Sequence, residues 1–382
     1  MNSTVFDISD KAFRRIMRDP KLALPIRWEG GDFKKTLDML FEYYSQKLFE
    51  AQSMDPGGIA QFAIERLQTI TQPLTKAVEE YQNGFPAKAY NIFKTLMEHF
   101  IDSPFNIYCK SGVLSEREDS LHLYRVAKVE DNKPYGRPRV FHTPFNMRSK
   151  VSTCRYSIAG HPSLYLSTSL ELSCNEIHAD PIRDLILASY YQLDRNSRSS
   201  HLTIKVVDLG IKPQDFIEPN DLSADQVDYF EDNHQNSKSK RTNKGRNVFS
   251  GLTRQYYIRE NYLLWYPLIA ACSFIRVNKK DPFAAEYIIP QLVMQWVRSE
   301  MSKPHRELIG IRYFSCASIK DSDKGFNYVF PTSGEPVSPD IPYCKVLANA
   351  FMLTEPVYVH EYMSVQECEA AIRRMKDRQK IN

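Results

Sequence analysis

The chain has 382 residues, enough for one large domain plus a smaller one, or for two. Its hydrophobic content of 42% and charged content of 25% are ordinary for a soluble globular protein. A net charge of +4, from 50 Lys+Arg against 46 Asp+Glu, is too balanced for nucleic-acid binding by the protein as a whole.

Residues 1–115 read as a helical domain. The opening "MNSTVFDISDKAFRRIMRDP" carries acids early and no apolar run, so no signal peptide is expected there. "DFKKTLDMLFEYYSQKLFE" spaces Phe33, Leu37, Leu40, Phe41, Tyr44 and Leu48 along one helical face. "LTKAVEEYQNGFPAKAYNIFKTLMEHF" predicts two helices broken at Asn83–Pro86. Gly84 there suits a left-handed cap and Pro86 suits the next first turn. No catalytic constellation occurs in this stretch, which reads as a packing module or one that holds a regulatory protein or a second copy.

From residue 116 to 382 the pattern turns to mixed α/β. "LHLYRVAKV" and "PSLYLS" read as strands, and Thr168 with Glu171 as a capping box for a helix whose core stripe is Leu170, Cys174 and Ile177. "DPIRDLILASYYQL" reads as a further helix, capped by Asp180 with Pro181 in its first turn, and "HLTIKVVDLG" as a strand. Residues 232–247, polar and basic with Lys238, Lys240, Arg241, Lys244 and Arg246, read as a mobile loop. With no aromatic interleaved for base stacking, a solvated insertion is preferred there to a nucleic-acid contact. "YLLWYPLIAACSFI" has the length of a buried element and is too short to span a bilayer. Beyond it come a helix opened by Pro290, the strands "LIGIRYFSCAS" and "FNYVFPT", and a closing helix capped by Ser364 and Glu367.

The cysteines, at positions 109, 154, 174, 272, 316, 344 and 368, are odd in number and form no CxxC. They read as reduced thiols of a cytoplasmic protein, each a small core hydrophobe. There is no Walker loop, GxGxxG, HExxH or GxSxG, and the histidines lack ligand spacing, so no metal is expected. "RNSRSSH", Arg195 to His201, matches the Arg-x(4–6)-His pattern of HEPN ribonucleases, yet it lies before a strand, outside the helical region that fold would need.

Four residues of the α/β half stand out: Arg125 in "LYRV", Tyr165 in "LYLS", Glu176 in "CNEI" and Ser315 in "IRYFS". Each has an ordinary alternative: a surface ion pair, a core aromatic, a solvated helix face and a buried strand hydroxyl. Together, with "RYSIAGHPSLYLSTSLELSCNEI", they resemble the RES domain family over roughly residues 118–362. The N-terminal helices resemble the HEPN-like module that precedes some RES domains. The resemblance implies an α+β chain, a helical domain followed by an ADP-ribosyltransferase-like domain. It also implies that NAD⁺ is the substrate, destroyed by hydrolysis or phosphorolysis of the nicotinamide–ribose bond, with inorganic phosphate as a co-substrate in the second case. Compact bacterial members are toxins, and this chain is much longer than those.

In that setting Glu176 would hold the ribose 2′-hydroxyl and stabilise an oxocarbenium-like ribose. Tyr165 would stack on nicotinamide, Arg125 would pair with the dinucleotide phosphates, and Ser315 would hydrogen-bond nicotinamide or ribose. Arg155 and Tyr156 are expected as further contacts. Two rivals remain: a protein ADP-ribosyltransferase using the same site, and a non-catalytic binding protein that keeps the fold.

Overall fold

The computed structural model describes residues 3–101, 107–111, 121–194, 204–216, 248–278, 280–303 and 308–381. Helices α1 (Ser3–Met17), α2 (Phe33–Met54), α3 (Ile59–Gln82) and α4 (Pro86–Phe100) come first. Strands β1 (Tyr108–Ser111), β2 (Leu123–Lys128) and β3 (Ser163–Ser167) follow, then α5 (Leu170–Glu176), β4 (Ile186–Leu193) and β5 (Ile204–Leu209). After α6 (Val248–Ala271) and α7 (Ile288–Glu300) come β6 (Leu308–Phe314), β7 (Phe326–Pro331), β8 (Pro336–Ser338) and β9 (Ile341–Cys344). The chain closes with α8 (Lys345–Ala350), β10 (Phe351–Thr354), β11 (Val357–Tyr358), α9 (Val365–Arg374) and β12 (Arg378–Gln379). The fold is α+β, helical first and mixed-sheet after. No helix among the described residues is long and apolar enough to cross a membrane.

Two compact units emerge, and their boundary differs from a single cut near residue 115. The helical unit takes residues 1–108 and also 211–292; the sheet unit takes 109–210 and 293–382. The reason lies in α6. Every residue from Asn261 to Ala271 is buried, so this C-terminal half of α6 has no solvent face and needs partners all round. It finds them in the N-terminal helices: Tyr266 stacks at 4.5 Å on Tyr44 of α2, and Trp265 meets Phe100 of α4 at 5.2 Å. The buried stripes are Phe33, Leu37, Phe41, Tyr44 and Leu48 on α2 and Ile59, Ala63, Leu67, Ile70 and Leu74 on α3. Leu40, expected in the α2 stripe, is only half-buried.

Pro267 inside α6 carries no N–H, which leaves the carbonyl of Leu263, four residues back, without its helical donor. The buried Tyr44 hydroxyl donates to that carbonyl at 2.6 Å. At the α3–α4 break Gly84 has φ +84°, the left-handed conformation that suits glycine, and Pro86 begins α4. Asp32 caps α2 by accepting from the Lys35 amide at 3.0 Å.

The sheet runs β1-β5-β6-β7-β3-β2-β4-β10-β12, with β11 also on β4. Its recorded pairings are antiparallel except β5–β6, which is parallel. Parallel neighbours cannot be joined by a tight turn. The chain between them is where residues 211–292 depart for the helical unit. Register partners Asp208 and Arg312 lock that parallel pair with a buried bidentate bridge, Nε at 2.9 Å and Nη2 at 2.6 Å.

"DPIRDLILASYYQL", expected as a helix, forms strand β4 instead. It lies between β2 on one side and β10 and β11 on the other. Ile186, Ala188 and Tyr190 face the core under α5 and α9, and Leu187, Tyr191 and Leu193 are buried as well. Burial on both faces erases the alternation that marks a strand. Asp180 caps only a turn, accepting from the Ile182 amide. Ser364 caps α9 as expected, accepting from the Glu367 amide at 3.1 Å. Cys174, Cys272, Cys316, Cys344 and Cys368 are buried and Cys154 is exposed, each outside any disulfide. The loop expected at 232–247 and the Arg195–His201 match lie outside the described residues.

Tyr44→Phe keeps the ring stack and orphans the Leu263 carbonyl. It should cost about 1–3 kcal/mol in urea denaturation. A second prediction concerns Glu260 on α6, whose carboxyl is pushed up by burial from 4.5 to about 7, with Arg66 opposing the shift. A raised acid favours the protonated native state, so this contribution is full below 4.5 and is lost as pH rises through about 7. Glu260→Gln should therefore show a flatter fall in stability between these pH values than the parent chain, read from denaturation midpoints.

Candidate active site

The site grows from one row of the sheet. Tyr313 of β6 is opposite Asn327 of β7, and Asn327 is opposite Ser167 of β3. Direct partners in an antiparallel ladder share a face, and residues two apart on one strand share it too. Tyr165, opposite Val329, therefore lies on the same face as Tyr313 and Asn327.

β3 passes into α5 at Thr168 and Ser169. Ser169, not Thr168, caps the helix, accepting from the Leu172 amide at 3.2 Å. Thr168 instead extends the β3–β7 ladder: its Oγ1 accepts from the Phe326 amide at 2.9 Å. That hydroxyl sits where a Cβ on Gly325, at φ +122°, would collide with it. Leu170 and Cys174 of α5 are buried as expected, whereas Ile177 falls beyond the helix and is exposed.

The helix stops in a Schellman arrangement. The Ala179 amide donates to the Cys174 carbonyl at 2.9 Å, and the His178 amide to that of Asn175 at 3.1 Å. The left-handed position is taken by His178, at φ 51°, where glycine is usual. Its carbonyl accepts from Lys128 Nζ at 2.8 Å. Asn175 is tied to Asp321 at 3.2 Å.

This stop sets Glu176 as the last residue of α5, half-buried. A carboxylate in a last turn opposes the helix macrodipole. Compensation comes across the sheet: Asn327 Nδ2 donates to Glu176 Oε1 at 2.7 Å, while Asn327 Oδ1 accepts from Ser167 Oγ at 2.6 Å. Asn327 is 1% exposed, so the chain Ser167–Asn327–Glu176 is a satisfied polar network. Glu176 Oε2 has no hydrogen-bond partner among the described residues.

A tight turn, in which Cys154 and Ser157 exchange backbone bonds of 2.9 and 3.2 Å, carries Arg155 and Tyr156 at its tip. The Tyr156 ring packs on Tyr313 at 4.6 Å, and Ser157 Oγ and the Tyr165 hydroxyl share a 2.7 Å hydrogen bond. Burial pushes the Tyr313 phenol well above its ordinary range, the negative charge of Glu176 adds to this, Tyr165 and Tyr156 follow, and Arg155 opposes it. Glu176, Tyr165, Tyr156 and Arg155 thus all lie within electrostatic reach of one buried phenol.

Arg125 and Ser315 are placed differently. Along β2, Tyr124 and Val126 join the core under α5, so Arg125 leaves the opposite face. β2 and β3 pair at one recorded position, Tyr124 with Ser167. Just past it, Arg125 Nη1 donates to the Tyr165 carbonyl at 2.9 Å, and Arg125 Nε is buried without a partner. Burial lowers the Arg125 pKa. Ser315 follows β6, is fully buried, and accepts from the Ala317 amide at 3.2 Å. No cluster of three or more His, Cys, Asp or Glu able to hold a metal occurs among the described residues.

Sequence reading missed Asn327, Tyr313, Ser167 and Ser157. The available signal was an amide inside the apolar run "FNYVF", since a buried amide demands partners.

In comparisons with known proteins no family model matches the chain, and no solved structure matches it. It is similar to a Bacillus subtilis (strain 168) protein named "Putative toxin YopC", at 26% identity over 359 residues. The match covers 90% of this chain and 70% of that protein.

His178→Gly should relieve the left-handed strain and raise stability by roughly 0.5–1 kcal/mol in chemical denaturation. A loss of stability would show that the His178 side chain holds the helix end more strongly than its backbone strains it.

Proposed function

We propose that this chain is an NAD⁺-degrading enzyme that breaks the nicotinamide–ribose bond by hydrolysis or phosphorolysis. The observation that carries the reading is Glu176: a carboxylate oriented through one oxygen by buried Asn327, with the other oxygen unengaged, over the sheet face that Asn327 shares with Tyr165 and Tyr313, on which Tyr156 packs. Cleavage of an N-glycosidic bond builds positive charge on the ribose. A fixed carboxylate next to that ribose stabilises the charge as it forms and can accept from the 2′-hydroxyl.

Tyr165, tethered by Ser157, is a rigid aromatic surface for nicotinamide. Arg155, on the tip of its turn, supplies positive charge for the dinucleotide. In this reading Arg125 acts on β3 as a positioning residue, through the Tyr165 carbonyl, from the opposite face of the sheet. Ser315 shapes the end of β6 after Tyr313. The resemblance of the motif block to RES domains supports the same chemistry. Similarity to a protein named as a toxin supports a role as a toxin or effector, and in this reading that role is exercised by loss of NAD⁺.

Incubation with NAD⁺ followed by mass spectrometry tests the proposal. Free ADP-ribose or its 1″-phosphate is the expected product. ADP-ribose attached to protein would assign the transferase reaction instead, and undiminished NAD⁺ would overturn the enzymatic reading. Glu176→Gln should cost about 10²-fold or more in turnover while NAD⁺ binding changes little, because the charge it stabilises exists only near the transition state. Wild-type turnover in a folded Glu176→Gln protein would remove Glu176 from the mechanism.

A further inference from the structure

We propose that the cleft between α1 and α2 binds a phosphate-bearing small molecule of mononucleotide size. This inference lies wholly within the helical unit and does not rest on the NAD⁺ reading. The cleft encloses about 350 Å³, at the lower end of the range for small-molecule sites. Its walls bring together five cationic side chains, from Lys11, Arg14, Arg15 and Arg18 at α1 and Lys47 on α2, against two carboxylates, Asp19 and Glu50. Ile16 and Ala51, each 2% exposed, also line it.

The charge is not the pattern of an ordinary solvated face. Lys11 and Arg15 are a like-charge pair four residues apart on α1, an arrangement that weakens a helix, and Arg18 follows just past its end. The macrodipole accounts for Arg14 and Arg15 in the last turn of α1, yet not for Lys11 a turn earlier or for Lys47 on another helix. The local acids offset part of the group. Asp10 holds Arg14 at 2.8 Å, and Glu50 holds Lys47 at 3.1 Å. Asp19 lies 3.8 Å from Lys47 Nζ and also accepts from the Tyr43 hydroxyl at 2.6 Å and from the Lys21 amide at 2.9 Å. Arg15 and Arg18 make no ion pair among the described residues, and Arg15 Nη1 contacts Met54 Sδ at 3.1 Å. Two guanidiniums without carboxylates, at the rim of a concave site with a cationic surplus, are suited to bidentate contact with phosphate oxygens.

The two carboxylates select the kind of anion. A continuous polyanion laid across the cleft would pass over Asp19 and Glu50 and be repelled there. A small ligand that places phosphate on Arg15 and Arg18, and hydroxyl or amino groups toward the acids, meets both charges favourably.

Isothermal titration calorimetry of the full chain with ADP tests this, with inorganic pyrophosphate and a single-stranded oligonucleotide as comparison probes. The expected result is saturable ADP binding that weakens about tenfold or more in an Arg15→Gln/Arg18→Gln protein. Both positions are exposed, so folding should be retained, and NAD⁺ turnover, measured on the same protein, should match the parent. ADP affinity unchanged by the double substitution would overturn the proposal. So would absence of ADP binding at millimolar concentration, or variant-sensitive binding of the oligonucleotide alone. Loss of NAD⁺ turnover through Glu176→Gln with ADP binding at this cleft intact would separate the two sites.

Discussion

Around the candidate site the structure depends on a guanidinium that substitutes for a missing stretch of ladder. β2 and β3 are neighbours in the sheet, yet their recorded pairing is the one partnership of Tyr124 with Ser167. Beyond it a backbone carbonyl, that of Tyr165, needs a donor, because an unpaired buried carbonyl is costly. Arg125 supplies it from the adjacent strand. The cost is a desolvated cation, visible in its lowered pKa and in the unpartnered Nε. The gain is that β3, and the tyrosine it carries, is anchored without a full set of backbone bonds.

From that anchored strand the site follows by short links. Ser167 closes the row with Asn327, and Asn327 reaches Glu176. The helix bearing Glu176 starts two residues after β3, so strand and acid cannot drift apart. Its far end is held by a left-handed histidine and by Lys128, whose ammonium reaches the His178 carbonyl. Both the dipole-opposed carboxylate and the strained histidine run against local preference at the same helix terminus. Such local conflicts, offset by tertiary contacts, are common at functional sites.

The helical unit solves a comparable problem with neutral groups. Pro267 breaks the hydrogen-bond ladder of α6 at a point with no access to water, and the Tyr44 hydroxyl restores the missing donor from a helix more than two hundred residues earlier in the chain. A chain segment that leaves the sheet between β5 and β6 thereby becomes part of the N-terminal bundle. The parallel β5–β6 pair bordering this excursion is secured by Asp208 and Arg312, whose charges satisfy one another in the core.

Local physics made much of this legible in advance. The α2 stripe, the Gly84 and Pro86 punctuation and the Ser364 cap each depend on residues within a few positions of one another. So did strands β2, β3, β6 and β7, with Tyr165 and Glu176 on successive elements. What the sequence by itself determined was therefore the succession of most elements, with Tyr165 on a strand and Glu176 on the helix that follows it. Tertiary structure decided the rest. Strand β4 is buried on both faces, which removed the periodicity that tells strand from helix. Residues 211–292 joined the helical unit because the second half of α6, from Asn261 to Ala271, is buried all round, and only packing could say which helices would cover it. The partnership of Glu176 with Asn327 spans 151 positions and exists because the register places Asn327 between Ser167 and Tyr313. No local rule carries information across that separation, since the pairing of distant strands is chosen by the burial of the whole sheet.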